Sequence, residues 1–483
     1  MRPHWGWGSV NAIMRVLLIN PPSPERLGAP LLGQQYVAAA LLRHGCEVRV
    51  IDAAALHFAH DADWIIEQAR AFQPQIIGVA LFTRWVWHAY QLVDRLRETG
   101  SLLVAGGAHT TVRPDETLAR GFDVALAGEA ELSLVALVQA LESGTPLTAV
   151  AGAHVRWADG SVAHGPASSY LEDLDGLAEP HTAQHLFDPR WYDPTGRLTT
   201  PGGLLTSRGC PARCTFCANY VTGRRFRYRS DACVVNELNS VHARSGSTFV
   251  PFWDDALTAK IPRTVALCEA IERDIQFPLT FSAITRANMV TPALLRSMKR
   301  AGLVHVNFGV ESGDDEILRI IKKGVDTRQV VRALEWAKAE GLATACNFML
   351  GFAEDSPASL ERTARFMESI APMVDTFSTL GVVVPFPGTP IYDDRHADYG
   401  FTDWWLDERY SHYSAYPPLD DVARFNRFYI DDANLQLDFF RYDAATRDMI
   451  RECLRIKGEH NLRHMGLLRD PVFAPEPMAA AAA

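Results

Sequence analysis

Short apolar runs alternate with amphipathic stretches over the first 145 residues, the pattern that a parallel α/β sheet with helical crossovers imposes on a chain. The runs are Val16 to Ile19, Val48 to Ile51, Ile76 to Ala80, Leu102 to Ala105 and Val124 to Ala127. Helix-period patterns at Gln34 to Arg43, Ala62 to Phe72, Ala89 to Arg97 and Asp115 to Ala119 separate them, and another at Leu132 to Leu141 closes the unit. This rhythm predicts a doubly wound, flavodoxin-like sheet, on which ligands bind beyond the carboxyl ends of the strands. Those ends carry Asn20, Pro21 and Pro22, then Thr83, then Gly106, Gly107 and His109, then Gly128 and Glu129. Glycine there lets a backbone approach a ligand closely, although Gly106 and Gly107 also read as simple chain turns.

From 146 to 195 periodicity fades and Gly, Pro, Asp and His accumulate, which predicts a connector. A second βα rhythm starts at Gly203. Strand-like runs at Leu204 to Ser207, Thr248 to Trp253, Leu279 to Ala283, Val304 to Gly309, Ala343 to Leu350 and Thr376 to Val384 alternate with helical patterns near 231–244, 261–274, 292–301, 314–321, 327–340 and 357–370. Six such units over residues 196–400 predict a partial (β/α)6 barrel of TIM type, with its chemistry at the carboxyl ends of the strands. Beyond Gly400 the rhythm stops. Trp404, Trp405, Tyr410, Tyr413 and Tyr416 crowd into a C-terminal helical and aromatic element over 401–483, whose alanine-rich end is expected to fray. Such a cluster reads first as core and second as a surface for a flat or apolar substrate.

Composition narrows the function classes. A chain of 483 residues, 48% hydrophobic and 22% charged, has material for two or three folded domains. Its net charge of -10 disfavours nucleic acid and favours a small-molecule substrate. No run approaches the roughly 18 to 20 apolar residues of a membrane span, and the first residues lack an apolar signal core, so no membrane span and a cytoplasmic location are expected. Eight cysteines are sparse, and three fall within eight positions, which suits metal binding in a reducing compartment. Cys46, Cys233, Cys268, Cys346 and Cys453 are scattered and read as buried thiols.

The three clustered thiols are Cys210, Cys214 and Cys217 in SRGCPARCTFCANY, a C-x3-C-x2-C loop following the strand run at Leu204. Three thiolates can hold three irons of a four-iron cluster, whereas electron-transfer ferredoxins use a fourth cysteine for the last iron. The alternative is zinc, which prefers four ligands; no second Cys or His pair accompanies the loop, but His181 and His185 lie upstream.

With Phe216 just before the third cysteine, this loop resembles the signature of the radical AdoMet superfamily. The resemblance implies a [4Fe-4S] cluster on Cys210, Cys214 and Cys217 whose fourth iron chelates S-adenosyl-L-methionine, cleaved to a 5'-deoxyadenosyl radical. It extends along the barrel. FWDDALT places Asp254 and Asp255 where the AdoMet amino group is received, TRANMV brings Arg286, and NFGVESGDDEILRIIKKG brings Glu311 and Ser312 toward the ribose and carboxylate. Gly351 in NFMLGFAEDS falls at the adenine-contacting strand end; Phe352 and Ala353 stand where a GLPGE-like string is usual, which weakens the implied Glu354 contact. PFPGTP at 385–390 completes the set. Each polar residue alone reads as a solvated loop residue, and only their shared placement at strand ends argues otherwise.

The region 1–145 resembles the cobalamin-binding domain that precedes the barrel in one class of these enzymes, through NPP at 20–22, GGAH at 106–109, Pro114, Asp123 and GEAE at 128–131. This implies cobalamin near Pro21, Thr83, Gly106, Gly107, His109, Gly128 and Glu129, with Arg84 and Trp85 as further candidates under the corrin. The D-x-H-x-x-G loop that supplies a cobalt-binding histidine elsewhere is missing, since NPPSPERLG holds no histidine. Cobalamin is therefore expected without a protein imidazole, the other outcome being a domain that has kept its fold and lost the cofactor. The implied reaction is methyl transfer to an unactivated carbon. The alternatives are an oxidative or ring-forming reaction, as in the anaerobic Mg-protoporphyrin ester cyclases, and a non-enzymatic iron-sulfur carrier. The resemblance further implies a monomer served by flavodoxin or ferredoxin as electron donor. Tetrapyrroles, polyprenoid or hopanoid lipids and natural-product intermediates all stay open as substrates.

Overall fold

The computed structural model describes residues 13–23, 27–193, 195, 202–378, 381–411 and 433–464. Tyr413, Tyr416 and the alanine-rich end lie outside these residues. The front of the chain runs β1 (Arg15–Asn20), α1 (Leu32–His44), β2 (Glu47–Asp52), α2 (Ala62–Phe72), β3 (Ile76–Ala80), α3 (Val86–Arg97), β4 (Leu102–Gly106), α4 (Ala108–Val112), α5 (Pro114–Ala119), β5 (Val124–Leu126) and α6 (Ala130–Ser143). Its strands pair in the order β2-β1-β3-β4-β5, all parallel, the flavodoxin-like winding expected. Helices cover both faces, so Ile76, Ile77 and Val79 of β3 are all buried and the run is continuously apolar rather than alternating. Helix α2 shows the local logic. Asp61 accepts from the Trp64 backbone N–H at its start, and Ile65, Ile66, Ala69 and Phe72 form one buried face.

Most of the stretch 146–195 folds onto this sheet. Strands β6 (Ala153–Arg156) and β7 (Val162–His164) extend it in antiparallel fashion beyond β5. The turn of 3-10 helix at Pro180–Leu186 packs on α1, and the Tyr192 hydroxyl donates to buried Asp52 at 2.6 Å.

The second unit comprises β8 (Ser207–Arg208), β9 (Arg227–Tyr228), α7 (Asp231–Ser245), α8 (Ile261–Asp274), β10 (Phe281–Thr285), α9 (Pro292–Arg300), β11 (Leu303–Glu311), α10 (Asp315–Ile320), α11 (Thr327–Ala339), β12 (Ala343–Leu350), α12 (Pro357–Ile370), β13 (Thr376–Phe377) and β14 (Gly381–Val382). The strands β10 to β14 form a parallel sheet, and the expected first two strands join it through single bridges, Leu204 to Phe252 and Phe252 to Ala283. The partial barrel is thus present. Helix Ala444–His464 packs on α12, and the Asn461 amide bonds both Phe377 N–H and C=O at 2.8 Å, occupying an edge that would otherwise be open. Trp404 and Trp405 are buried, so the described part of the aromatic cluster is core. Among the described residues no helix is long and apolar enough to cross a membrane.

One buried ionic cluster joins the two units. Glu129 accepts from Arg208 at 3.0 Å, from both terminal nitrogens of Arg227 at 2.8 and 3.0 Å, and from the Leu171 N–H at 2.7 Å. Glu131 accepts from Arg208 at 2.6 Å. Burial alone would raise the Glu129 carboxyl, but Arg227 and Arg208 hold it below the usual carboxylate range. A depressed folded-state value means that its stabilisation is present above the unfolded carboxylate pKa of about 4.3 and is lost as pH falls through the lower folded value. Glu129→Ala strands two buried arginines and is expected to cost about 3 to 5 kcal/mol, read from anaerobic thermal unfolding. Glu129→Gln should cost less and should flatten the loss of stability at acid pH.

Candidate active site

The three-cysteine loop is the connection of a hairpin. Strands β8 and β9 pair antiparallel, Ser207 with Tyr228 and Arg208 with Arg227, and the loop between them holds the thiols. Gly209 opens it at φ 86°, where an added Cβ would lie 2.2 Å from the Arg225 carbonyl, so only glycine fits. Cys210 N–H donates to Gly223 C=O at 3.1 Å, Thr215 N–H to Ile321 C=O at 3.0 Å, and Ile391 N–H to Thr215 C=O at 3.0 Å. Asp255 accepts from Gly209 N–H at 2.9 Å and Thr222 Oγ1 at 2.8 Å. The loop is therefore pinned from the hairpin, from the end of α10 and from the segment after PFPGTP.

Cys210 and Cys214 are buried, while Cys217 sits at the mouth of the loop, open to solvent yet surrounded by protein. Desolvation, with the like charges of Cys214 and Cys210, pushes the Cys217 thiol up to about 11. Three thiols thus converge on one place, and binding iron there would offset the cost of ionising them. The zinc alternative loses its imidazole. His181 pairs with Glu237 at 3.2 Å with both side chains fully buried, and His185 bonds the Thr182 carbonyl at 3.0 Å.

The residues expected around the loop divide into two groups. Phe216 stacks obliquely toward Phe352 with centroids 5.8 Å apart, and buried Arg286 donates to Cys214 Sγ at 3.3 Å. Glu311 ends β11 at φ 76°, just past a register break between Gly309 and Glu311, and pairs with buried Lys323 at 2.7 Å. A non-glycine residue held at positive φ at a strand end is costly, and such strain clusters at working sites. Lys323 Nζ lies 5.9 Å from the Phe216 ring centroid, which brings this pair against the cysteine loop.

Asp254, by contrast, is fully buried and accepts from Thr206 N–H at 3.1 Å, Thr206 Oγ1 at 2.7 Å and the Ser207 hydroxyl. Burial raises its carboxyl, and the geometry makes it a strut under β8 rather than a free edge. Ser312 is likewise committed, to Thr363 Oγ1 and to the Asp314 N–H, both at 3.1 Å. Gly351 packs under Tyr442, whose hydroxyl donates to its carbonyl. Asp355, pushed up to about 6 by burial, accepts from the Gly351 N–H at 3.0 Å. Glu354 pairs with Arg395 at 2.5 Å.

In the front domain a cavity of about 270 Å³ opens at the β1/β3 switch point. Gly106, Gly107, Gly128 and Glu129 line it as expected, together with Gly78 in mid-strand. Gly107 sits at φ 102° where a Cβ would meet the Leu81 carbonyl at 2.8 Å, so it serves the turn as well. Glu129 is a wall of the cavity with its charge spent on the arginines.

Thr83 and His109 correct the expectation that they face a ligand. The buried His109 ring bonds Thr83 Oγ1 at 3.1 Å through Nδ1 and Glu116 at 3.2 Å through Nε2. Glu116 also accepts from the Tyr90 hydroxyl at 2.9 Å and Trp405 Nε1 at 3.0 Å. Both ring nitrogens are therefore used. Pro21 is buried at the end of β1 and does not line the cavity.

The sequence reading missed Gln34, Tyr36, Gly78, Arg208 and Lys323. Gln34 lines the cavity, and neither of its buried amide atoms has a partner among the described residues. A buried amide without a partner is costly, so this one fits a ligand with polar substituents. The visible signal was a glutamine inside the apolar pattern of α1. Among the described residues the lining holds no histidine, cysteine or methionine, so none of them offers an enclosed cobalt an imidazole. Leu205, Arg208, Val221 and Thr222, which flank the three-cysteine loop, form part of the wall, so both domains enclose one chamber.

Comparison with known proteins agrees with this geometry. Residues 204–367 match the radical SAM superfamily, and residues 29–138 match the B12 binding domain. An uncharacterized methyltransferase of Pyrococcus horikoshii is 28% identical over 79% of this chain and 83% of its own length. The anaerobic magnesium-protoporphyrin IX monomethyl ester cyclase of Rubrivivax gelatinosus is 25% identical over 92% of this chain and 82% of its own. The fold is that of the radical S-adenosylmethionine methyltransferase TsrM from Kitasatospora setae, solved with cobalamin and a [4Fe-4S] cluster bound, at a TM-score of 0.64 and 20% identity over 80% of this chain and 76% of that one.

Gly106 faces open space, with no atom within 4 Å of an added Cβ. Gly106→Leu is expected to fill the cavity and cut cobalamin retained after anaerobic reconstitution at least about tenfold, read from the visible spectrum. Its unfolding temperature should stay within about 3 °C of the parent.

Proposed function

Because this chain is a radical SAM superfamily protein with a B12 binding domain ahead of its barrel, we propose that it is a cobalamin-dependent C-methyltransferase acting on a small molecule. The observation that carries the reading is the shared chamber. The cavity of the front domain is walled on its far side by the residues flanking Cys210 to Cys217, so two reactive cofactors would open onto one space. When bound, the [4Fe-4S] cluster supplies the electron that cleaves S-adenosyl-L-methionine to a radical, and cobalamin supplies the methyl group.

The side chains position and shield. Cys210, Cys214 and Cys217 hold the cluster, and Arg286 donates to the Cys214 sulfur, a contact that stabilises negative charge on that thiolate. Phe216, Asp255, Glu311 and Lys323 lie in or against the cysteine loop and are assigned to S-adenosyl-L-methionine. Ser312 and Gly351 hold the turns behind them, and Asp254 holds β8 in place. Gln34 offers its unspent amide to cobalamin, while Gly106, which faces open space, leaves room for the corrin. Apolar walls exclude water, which a carbon radical and a strong reductant both require. We assign flavodoxin or ferredoxin as the external electron donor, a monomer as the working unit and the cytoplasm as its place.

The test is anaerobic reconstitution with hydroxocobalamin and turnover with methyl-labelled S-adenosyl-L-methionine over a panel of tetrapyrrole, lipid and natural-product substrates. The expected result is 5'-deoxyadenosine and S-adenosylhomocysteine together, with one labelled methyl in the product. Cys214→Ala should abolish 5'-deoxyadenosine formation. A product that gains oxygen or loses hydrogen without label would favour the cyclising chemistry of the Rubrivivax relative, and a cluster that never yields 5'-deoxyadenosine would leave only an electron carrier.

A further inference from the structure

Far along the chain from the cysteine loop, two histidines face one another on the outer edge of the front sheet. His154 of β6 and His164 of β7 are direct cross-strand partners, and their Nδ1 atoms are 2.6 Å apart with the rings at 77°. Beside them is Asp115 in the first turn of α5, whose Oδ1 is 3.9 Å from His164 Nδ1. One ligand atom from each of the three lies within 4.8 Å of the other two.

Two imidazoles that direct the same nitrogen at each other can hold only one proton between them. A metal ion that displaces that proton would meet both Nδ1 lone pairs beside the Asp115 carboxylate. The donor set is two nitrogens and one oxygen from a rigid hairpin and the start of a helix, with room for water at a fourth position. That set suits zinc and its borderline neighbours rather than calcium or magnesium, which take oxygen ligands.

We propose that Asp115, His154 and His164 form a zinc-class metal site, separate from the reaction chamber, that staples the β6–β7 hairpin to α5. Its location gives it a consequence. Asp115 precedes Glu116, the carboxylate that binds His109, Tyr90 and Trp405. A metal fixing the start of α5 fixes that hub, and through Trp405 the contact between the front domain and the C-terminal element.

The test is a calorimetric titration of zinc chloride into the full chain after cluster and cobalamin reconstitution, with the three loop thiols occupied and magnesium chloride as the control. The expected result is one saturable zinc per chain, a rise in unfolding temperature on binding, and no comparable magnesium binding. His154→Ala and His164→Ala should each weaken zinc at least about tenfold and remove the thermal rise, since even outer-shell partners of a metal are worth that much. Asp115→Asn keeps the size of the side chain and should weaken zinc likewise, which covers the case in which a histidine variant disturbs the hairpin. A parent protein with no saturable zinc, variants that bind as tightly as the parent, or magnesium binding on equal terms would overturn the site.

Discussion

The clamp of Glu129 and Glu131 on Arg208 and Arg227 is the interaction on which the arrangement of this protein rests. Its carboxylates come from the turn and first residues of α6 in the front domain, and its guanidinium groups come from the two strands of the hairpin that carries the cysteine loop. Buried ion pairs are weak evidence for stability, because desolvation consumes most of the Coulombic gain. Their value here is geometric. Arg208 lies two residues before Cys210, and with Arg227 directly opposite it, both ends of the loop are tied to the front sheet. A pair of apolar residues could hold the domains together, but it would not fix the hairpin's register against the cavity mouth.

A second constraint acts from the barrel side. The end of β11 breaks register, turns Glu311 into positive φ and hands its carboxylate to Lys323. Lys323 follows α10, whose Ile321 carbonyl receives the Thr215 N–H from inside the cysteine loop. The strained strand end and the thiol loop are therefore coupled through one short segment. Strain at Glu311 is tolerated because a buried cation over-determines its position.

The parts of this design that were legible in the sequence are those with short-range causes. Strand and helix periods are local, and so is the spacing of three thiols within eight positions, which explains why the winding order, the six barrel units and the cysteine loop could be anticipated. The strands β6 and β7 were not, because each is too short to establish alternation and both sit among Gly, Asp and His. The roles of polar residues depended on partners far away in the chain. Asp254 is satisfied by Thr206 and Ser207, Ser312 by Thr363, and His109 by Thr83 and Glu116. A carboxylate at a strand end looks the same in sequence whether it faces a cofactor or props up a neighbouring strand. The glutamate in GEAE, which resembled a cofactor contact, proved to be the centre of the interdomain clamp.

The cavity explains why a histidine-free loop after β1 is compatible with a corrin site. Where an imidazole is supplied from that loop, the protein holds the metal by a bond; here the lining offers shape and a few polar groups instead. Gly106 removes a side chain where a flat macrocycle or its substituents need room, and Gln34 keeps two unspent polar atoms inside. Binding by enclosure demands that the enclosure be complete, and part of that task falls to Leu205, Arg208, Val221 and Thr222 of the barrel; the Arg208 guanidinium also lies 5.0 Å from the Tyr36 ring centroid. The hairpin that carries the thiols thus also supplies part of the cavity wall. A cavity wall shared with the barrel makes the front domain depend on it for a complete site, which is a physical reason for the two to be held by a buried ionic lock.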